Sequence, residues 1–306
     1  VVKVAFAARF GCNVDNFSNK NIIPANIVPD SAQGGPNVVA FYQAMEDLPN
    51  DDTLNNDSMA NFAIADSGSG SEYKRSEKRI LMAEGDAAYS TAYNFGSEHE
   101  VGRPEDAATP EERQVLEDCQ PANEDPVSFF NWNTLHEVGH AVDDKHNYMN
   151  KNGSGASHGG WTVYGRDVTK IAAAMKTKFK YDEAYIIAYL AHNNNPPIPE
   201  KPAAETCSVE EWESRRLAVR AYVDLASVGN KPWSSMALAT KLAIGGVVYQ
   251  ESYANDWHSY QLGQRSKAIT GYQYRAPGEW FSELYAAYHS GKLKPSHPAV
   301  GWLEAL

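Results

Sequence analysis

The stretch NWNTLHEVGHAVDDKH, residues 131–146, sets His136, Glu137 and His140 in an H-E-x-x-H pattern, with His146 six residues further on. Residues four apart on a helix lie about 40° apart around its axis, so the two imidazoles face one point. Zinc accepts neutral imidazole nitrogens at about 2.0–2.1 Å. A glutamate beside the first ligand reaches the attacking water and not the metal. Glu137 is therefore the candidate general base, which then hands its proton to a leaving amine. The chemistry this implies is metal-assisted hydrolysis of a peptide bond.

Two histidines leave such a site incomplete, because a catalytic zinc takes three protein ligands and keeps one position open to water. His146 is the near candidate, at the spacing of the metzincin pattern H-E-x-x-H-x-x-G-x-x-H. That pattern needs glycine at its eighth position so that the chain can swing back, and here the position is Asp143. If the helix continues, His146 lies about 120° around the axis from His140 and points away. The far candidates are Glu279 and Glu283 in GEWFSELYAAY, one turn apart and on one side of a helix. One would bind the metal, and the other could orient a ligand histidine. Asp143 and Asp144 follow His140 by three and four positions. Either could hold an imidazole N–H or cap the end of the helix.

The elements that must position these residues are mostly helical. VSFFNWNTLHEVGHAVDDKHNYM is apolar at Phe129, Phe130, Leu135, Val138 and Val142, as a buried helix requires. Further helices are predicted for PNVVAFYQAMEDL, for TPEERQVLEDC with Thr109 as N-cap, and for DVTKIAAAMKTKF opening on Asp167. They are also predicted for YDEAYIIAYLAH, SSMALATKLAIGG and GEWFSELYAAYHSG. SVEEWESRRLAVRAYVDLASVG carries a capping box, Ser208 with Glu211, and a terminating Gly229. VKVAFAARF and KRILMAEG read as strands bounded by glycine, the latter a candidate edge strand for pairing with substrate backbone. DSGSGS (66–71) reads as a loop, and NNNPPIPEKP (193–202) as a proline-stiffened connector. The fold class expected is α+β, mainly helical. A mixed α/β region over 1–127 would precede a helical region over 128–306, the two forming one compact catalytic unit.

HEVGHAVDD together with TGYQYRAPGEWFSELYAAYHSG resembles the anthrax lethal factor family of toxin-type zinc metallopeptidases. That family carries H-E-x-G-H-A-V-D-D on one helix and a tyrosine segment leading into an E-F-F-A-E helix. The resemblance implies a zincin-like catalytic domain of the gluzincin type, with a small sheet and an active-site helix. It implies Zn²⁺ held by His136, His140 and Glu279, with Glu283 supporting from outside the ligand set. It also implies that Tyr272 stabilises the oxyanion, with Tyr274 competing for that role. The partner would be a protein or peptide substrate, and the setting that of a secreted or injected effector.

Bulk composition fits this reading. A net charge of −12 on 306 residues argues against nucleic acid or an anionic membrane as main partner. No apolar run approaches the roughly 18 residues of a membrane span. Cys12, Cys119 and Cys207 are too few for a disulfide framework. The start at Val1, without an initiator Met, suggests a processed product, such as a module released from a carrier polypeptide or delivery apparatus. Two other readings stay open: a peptidase using His146 as third ligand, and a peptidase-like module that binds a partner without cutting it.

Overall fold

The structure is a computed structural model that describes residues 2–15, 38–65, 70–83, 92–93, 100–179, 183–191, 197–227, 231–253 and 256–306. Parts of several expected features lie outside these residues: 66–69 of the DSGSGS loop, 84–85 of KRILMAEG, 193–196 of the proline connector, and Gly229.

VKVAFAARF is not a strand but helix α1 (Val2–Phe10). Its valines suggest alternation, yet Val4 is 73% exposed. The buried residues are Phe6 and Phe10, four apart on one helical face, with ring centroids 4.8 Å from each other. Gly11, at φ +71°, ends the helix. Tertiary burial of two aromatics overrides the β preference of the valines. Strand β1 (Asn13–Asp15) and helix α2 (Val38–Met45) follow, then strands β2 (Asn61–Ile64), β3 (Glu72–Lys74) and β4 (Arg79–Met82).

These strands form one sheet in the order β1-β2-β4-β3, with β1, β2 and β4 parallel and β3 antiparallel to β4. KRILMAEG therefore supplies an interior strand and not an edge. A one-turn 3₁₀ segment over Arg75–Glu77, with Lys78 at φ +49°, folds the chain back and lays β3 along the outer side of β4. The edge is β3. Phe6 and Phe41 each pack against Phe62 of β2, and Phe41 meets Phe130 at 4.9 Å.

Strand β5 (Ala92–Tyr93) pairs with β6 (Val127–Ser128), and between them lies α3 (Pro110–Cys119). Thr109 accepts the Glu112 N–H, and Glu112 in return accepts the Ala108 N–H. Helix α4 (Phe129–His146) starts at Ser128, runs unbroken through the whole motif, and stops at Asn147, φ +50°. Helix α5 (Tyr148–Asn152) follows.

The chain packs as two compact units, one of Val1–Gly153 with Lys267–Leu306 and one of Ser154–Ser266. The second unit has an antiparallel sheet of order β7-β9-β8, from β7 (Thr162–Gly165), β8 (Val247–Glu251) and β9 (Trp257–Gln261). Helices α6 (Val168–Phe179), α7 (Glu183–Leu190) and α8 (Val209–Ser227) build its core around Ile171, Met175, Ile186, Val219 and Val223. Ser208 accepts the Glu211 N–H and starts α8. Helices α9 (Met236–Leu242) and α10 (Leu262–Arg265) complete this unit.

The chain then returns to the first unit with α11 (Pro277–His289) and α12 (Val300–Leu303). Helix α11 is buried from Glu279 to Ala287, apolar on most of its surface as a core helix is. Trp302 of α12 packs on Trp280 and Phe281. The fold is mainly helical α+β, with small sheets. No helix among the described residues is long and apolar enough to cross a membrane.

Candidate metal centre

Helices α4 and α11 meet at Gly139. A Cβ there would lie 3.0 Å from Ser282 Cα and 3.1 Å from Tyr285 Cβ, so the helices can come this close only over a residue without a side chain. Ser282, the small residue opposite, is fully buried. The motif glycine thus sets the distance at which α11 presents its carboxylates to the α4 imidazoles.

That distance is short. Glu279 Oε2 lies 2.9 Å from His136 Nε2 and 3.2 Å from His140 Nε2. The two imidazole rings stand nearly perpendicular, 4.9 Å between centroids. The candidate ligand atoms of all three residues fall within 4.8 Å of one another. Three ligands of a tetrahedral zinc at about 2.0–2.1 Å would stand about 3.3 Å apart, so small side-chain shifts would admit the ion. His136 and Glu279 are buried, and His140, 20% exposed, is the member open to solvent. Gly278 lies beside it, where a Cβ would make ordinary contact with His140 Nδ1 at 3.4 Å.

The electrostatics suit a cation. Burial works to raise the Glu279 carboxyl, but the His140 and His136 imidazoles outweigh it and hold it well below the usual carboxylate range. Its place in the first turn of α11 adds the favourable end of the helix dipole. For His136, burial opposes the charged form, while Glu279 and Glu283 outweigh that and push the imidazole well above its ordinary value. A metal ion would take over the position of that proton.

Glu283 lies one turn beyond Glu279, with Oε1 2.8 Å from His136 Nδ1. Its carboxylate also accepts from Trp132 Nε1 and Thr270 Oγ1. One nitrogen of His136 therefore faces the Glu283 carboxylate while the other faces the cluster.

Glu137 is buried, and its Oε2 has no hydrogen-bond partner among the described residues. Burial raises its pKa, against the pull of the two imidazoles, and the charges of Glu279 and of Glu72 on β3 add to the shift. A carboxylate so placed holds a proton more readily than an exposed one.

His146 ends α4 and is not part of the cluster: the helix does not break at Asp143, so the imidazole stays on its own side. Asp143 accepts the Met149 N–H at 2.8 Å and so starts α5. Asp144 bonds Tyr73 Oη at 2.8 Å, Lys78 Nζ at 2.5 Å and Arg75 Nε at 2.8 Å. These partners tie the motif helix to the β3–β4 hairpin. They were not foreseen from sequence, which offered Asp144 only as an imidazole partner or a helix cap.

Tyr272 sits in a 3₁₀ turn, Gly271–Tyr274, with its ring edge-on to His136 at 5.8 Å. It is half-buried, whereas Tyr274 is 2% exposed.

Together these residues form the HExxH-plus-glutamate arrangement typical of gluzincins, a group that could hold a metal ion. Comparison with protein-family models, curated proteins and solved structures found no match.

Proposed function

We propose that this chain is a zinc-dependent endopeptidase of the gluzincin type, similar in its active site to the lethal factor family. The observation that carries the reading is the convergence of Glu279 Oε2 with both α4 imidazoles beside the buried, unbonded Oε2 of Glu137. His136, His140 and Glu279 would hold the ion, two nitrogens and an oxygen being a donor set that suits zinc. Zinc supplies Lewis acidity, which acidifies water and polarises a peptide carbonyl.

The chain's own residues do the rest. Glu137 takes the proton from the attacking water and later gives it to the leaving nitrogen, tasks suited to a carboxyl whose pKa burial has raised. Tyr272 donates a hydrogen bond from its hydroxyl to the developing oxyanion. Glu283 holds the His136 ring in place. Strand β3, an edge of its sheet among the described residues, offers backbone groups to an extended substrate beside α4. The lethal factor resemblance further supports an effector delivered to another cell and acting on its proteins; comparing the target cell's proteome with and without the active chain tests this.

Substitution of Glu137 by Gln tests the catalytic reading. The variant should keep about one equivalent of zinc and lose proteolysis by at least a hundredfold. Full activity with zinc bound would overturn it, while zinc binding without cleavage by the unaltered chain would favour a non-hydrolytic binding module.

A further inference from the structure

We propose that Arg275 is a positioning residue that makes Tyr272 a one-directional hydrogen-bond donor; this rests on the reading of Tyr272 as the oxyanion donor. In a 3₁₀ turn, side chains three apart eclipse one another. Tyr272 and Arg275 are so spaced at the end of the Gly271–Tyr274 turn, and the Arg275 N–H bonds the Tyr272 carbonyl at 2.9 Å. Arg275 Nη1 donates to the Tyr272 hydroxyl oxygen at 2.8 Å, and its Cζ lies 5.2 Å from the ring centroid.

A guanidinium has five donors and no acceptor. The phenol oxygen must therefore accept this bond, and its own proton cannot return along it. The proton has to be given elsewhere. The ring itself lies edge-on to His136, one of the candidate ligands, at 5.8 Å between centroids. The turn is fixed as well. Thr270 accepts the Gln273 N–H and donates to Glu283, and Gln273 Oε1 accepts the Ile269 N–H. Glu283, which holds the histidine, thereby also anchors the tyrosine turn.

Arg275 contributes in two ways. It takes one lone pair of the phenol oxygen, so the hydroxyl takes part in any second bond with its proton as the donor. It also brings a fixed positive charge close to where negative charge develops in the transition state. Neither contribution is specific to the bound ground state, so the loss of Arg275 should appear in kcat and not in KM.

The test compares Arg275→Met, Arg275→Lys and Tyr272→Phe, singly and combined, in the zinc-loaded chain. Arg275→Met should lower kcat about tenfold, as a misplaced donor does, with KM and zinc content unchanged. Arg275→Lys should recover part of the loss. In the Tyr272→Phe background, Arg275→Met should cost nothing more. A metal-free readout accompanies these: the Tyr272 resonance Raman doublet, isolated by subtracting Tyr272→Phe, should report an accepting phenol oxygen and change on Arg275→Met. Multiplicative losses in the double variant, an unchanged kcat in Arg275→Met or in Tyr272→Phe, or an unchanged doublet would each overturn the proposal without touching the metal ligands. Loss of zinc or of all cleavage in Glu279→Ala alone would bear on the metal reading instead.

Discussion

Glu283 Oε1 lies 2.8 Å from the Nδ1 of His136, the nitrogen that faces away from the candidate metal position. The same carboxylate accepts from Trp132 and Thr270, so it joins α4, α11 and the tyrosine turn at one point. A carboxylate on the far nitrogen fixes the tautomer of a metal-binding imidazole and raises its basicity. Glu283→Gln should weaken zinc binding by about 10- to 100-fold while the fold persists. Competition with a chromogenic chelator measures this, and an unchanged affinity would deny Glu283 that role.

Gly139→Ala should loosen the α4–α11 crossing. The new methyl would press on the Ser282 backbone at 3.0 Å, which no side-chain rotation relieves. Overpacking of this kind costs about 1–3 kcal/mol. Urea unfolding should show that loss, and zinc affinity should fall with it because Glu279 and Glu283 move with α11.

His146→Ala should retain about one equivalent of zinc, whereas His140→Ala should not. His146 remains on an unbroken helix, outside the cluster. Metal analysis of the two variants after dialysis against free zinc decides between the third ligands that the motif spacing left open. Loss of zinc from the His146 variant, with zinc retained on Glu279→Ala, would favour His146.

Asp144 gives a pH-dependent prediction. Burial acts to raise its carboxyl, but Lys78, Tyr73 and Arg75 outweigh that and hold it below the usual range. A folded-state pKa below the unfolded one stabilises the fold at high pH. The contribution is complete above the unfolded value, about 3.9, and is lost as pH falls through the lower folded value. Asp144→Asn should therefore destabilise the chain near neutrality, by about 1–2 kcal/mol for a partly buried charged hydrogen bond. The gap between the two proteins should close below about pH 4. A gap independent of pH would mean that the charge is not what ties α4 to the hairpin.

What could be read from sequence divides along physical lines. The caps of α3 and α8, and the helical spacing of His136 and His140, depend on residues within one turn of each other, and local chemistry displays these directly. Glu279 and Glu283 were visible as a pair because a helix as apolar as α11 has little reason to carry two acids unless they are paired. The rest depends on long-range packing. Helix α1 is set by where Phe6 and Phe10 find the sheet and not by its valines. Strand β3 takes the edge because of a left-handed turn at Lys78, a residue with no special preference for one. Asp144 was expected beside an imidazole, but its partners lie 66 to 71 residues earlier in the chain, beyond what spacing on one helix can show.

The most direct test of the central claim is cleavage of a generic unfolded protein by the zinc-loaded chain, followed over time with and without a metal chelator. The account predicts cleavage that the chelator abolishes and that added zinc restores. Cleavage indifferent to the chelator, or none from a chain shown to hold one zinc, would contradict it.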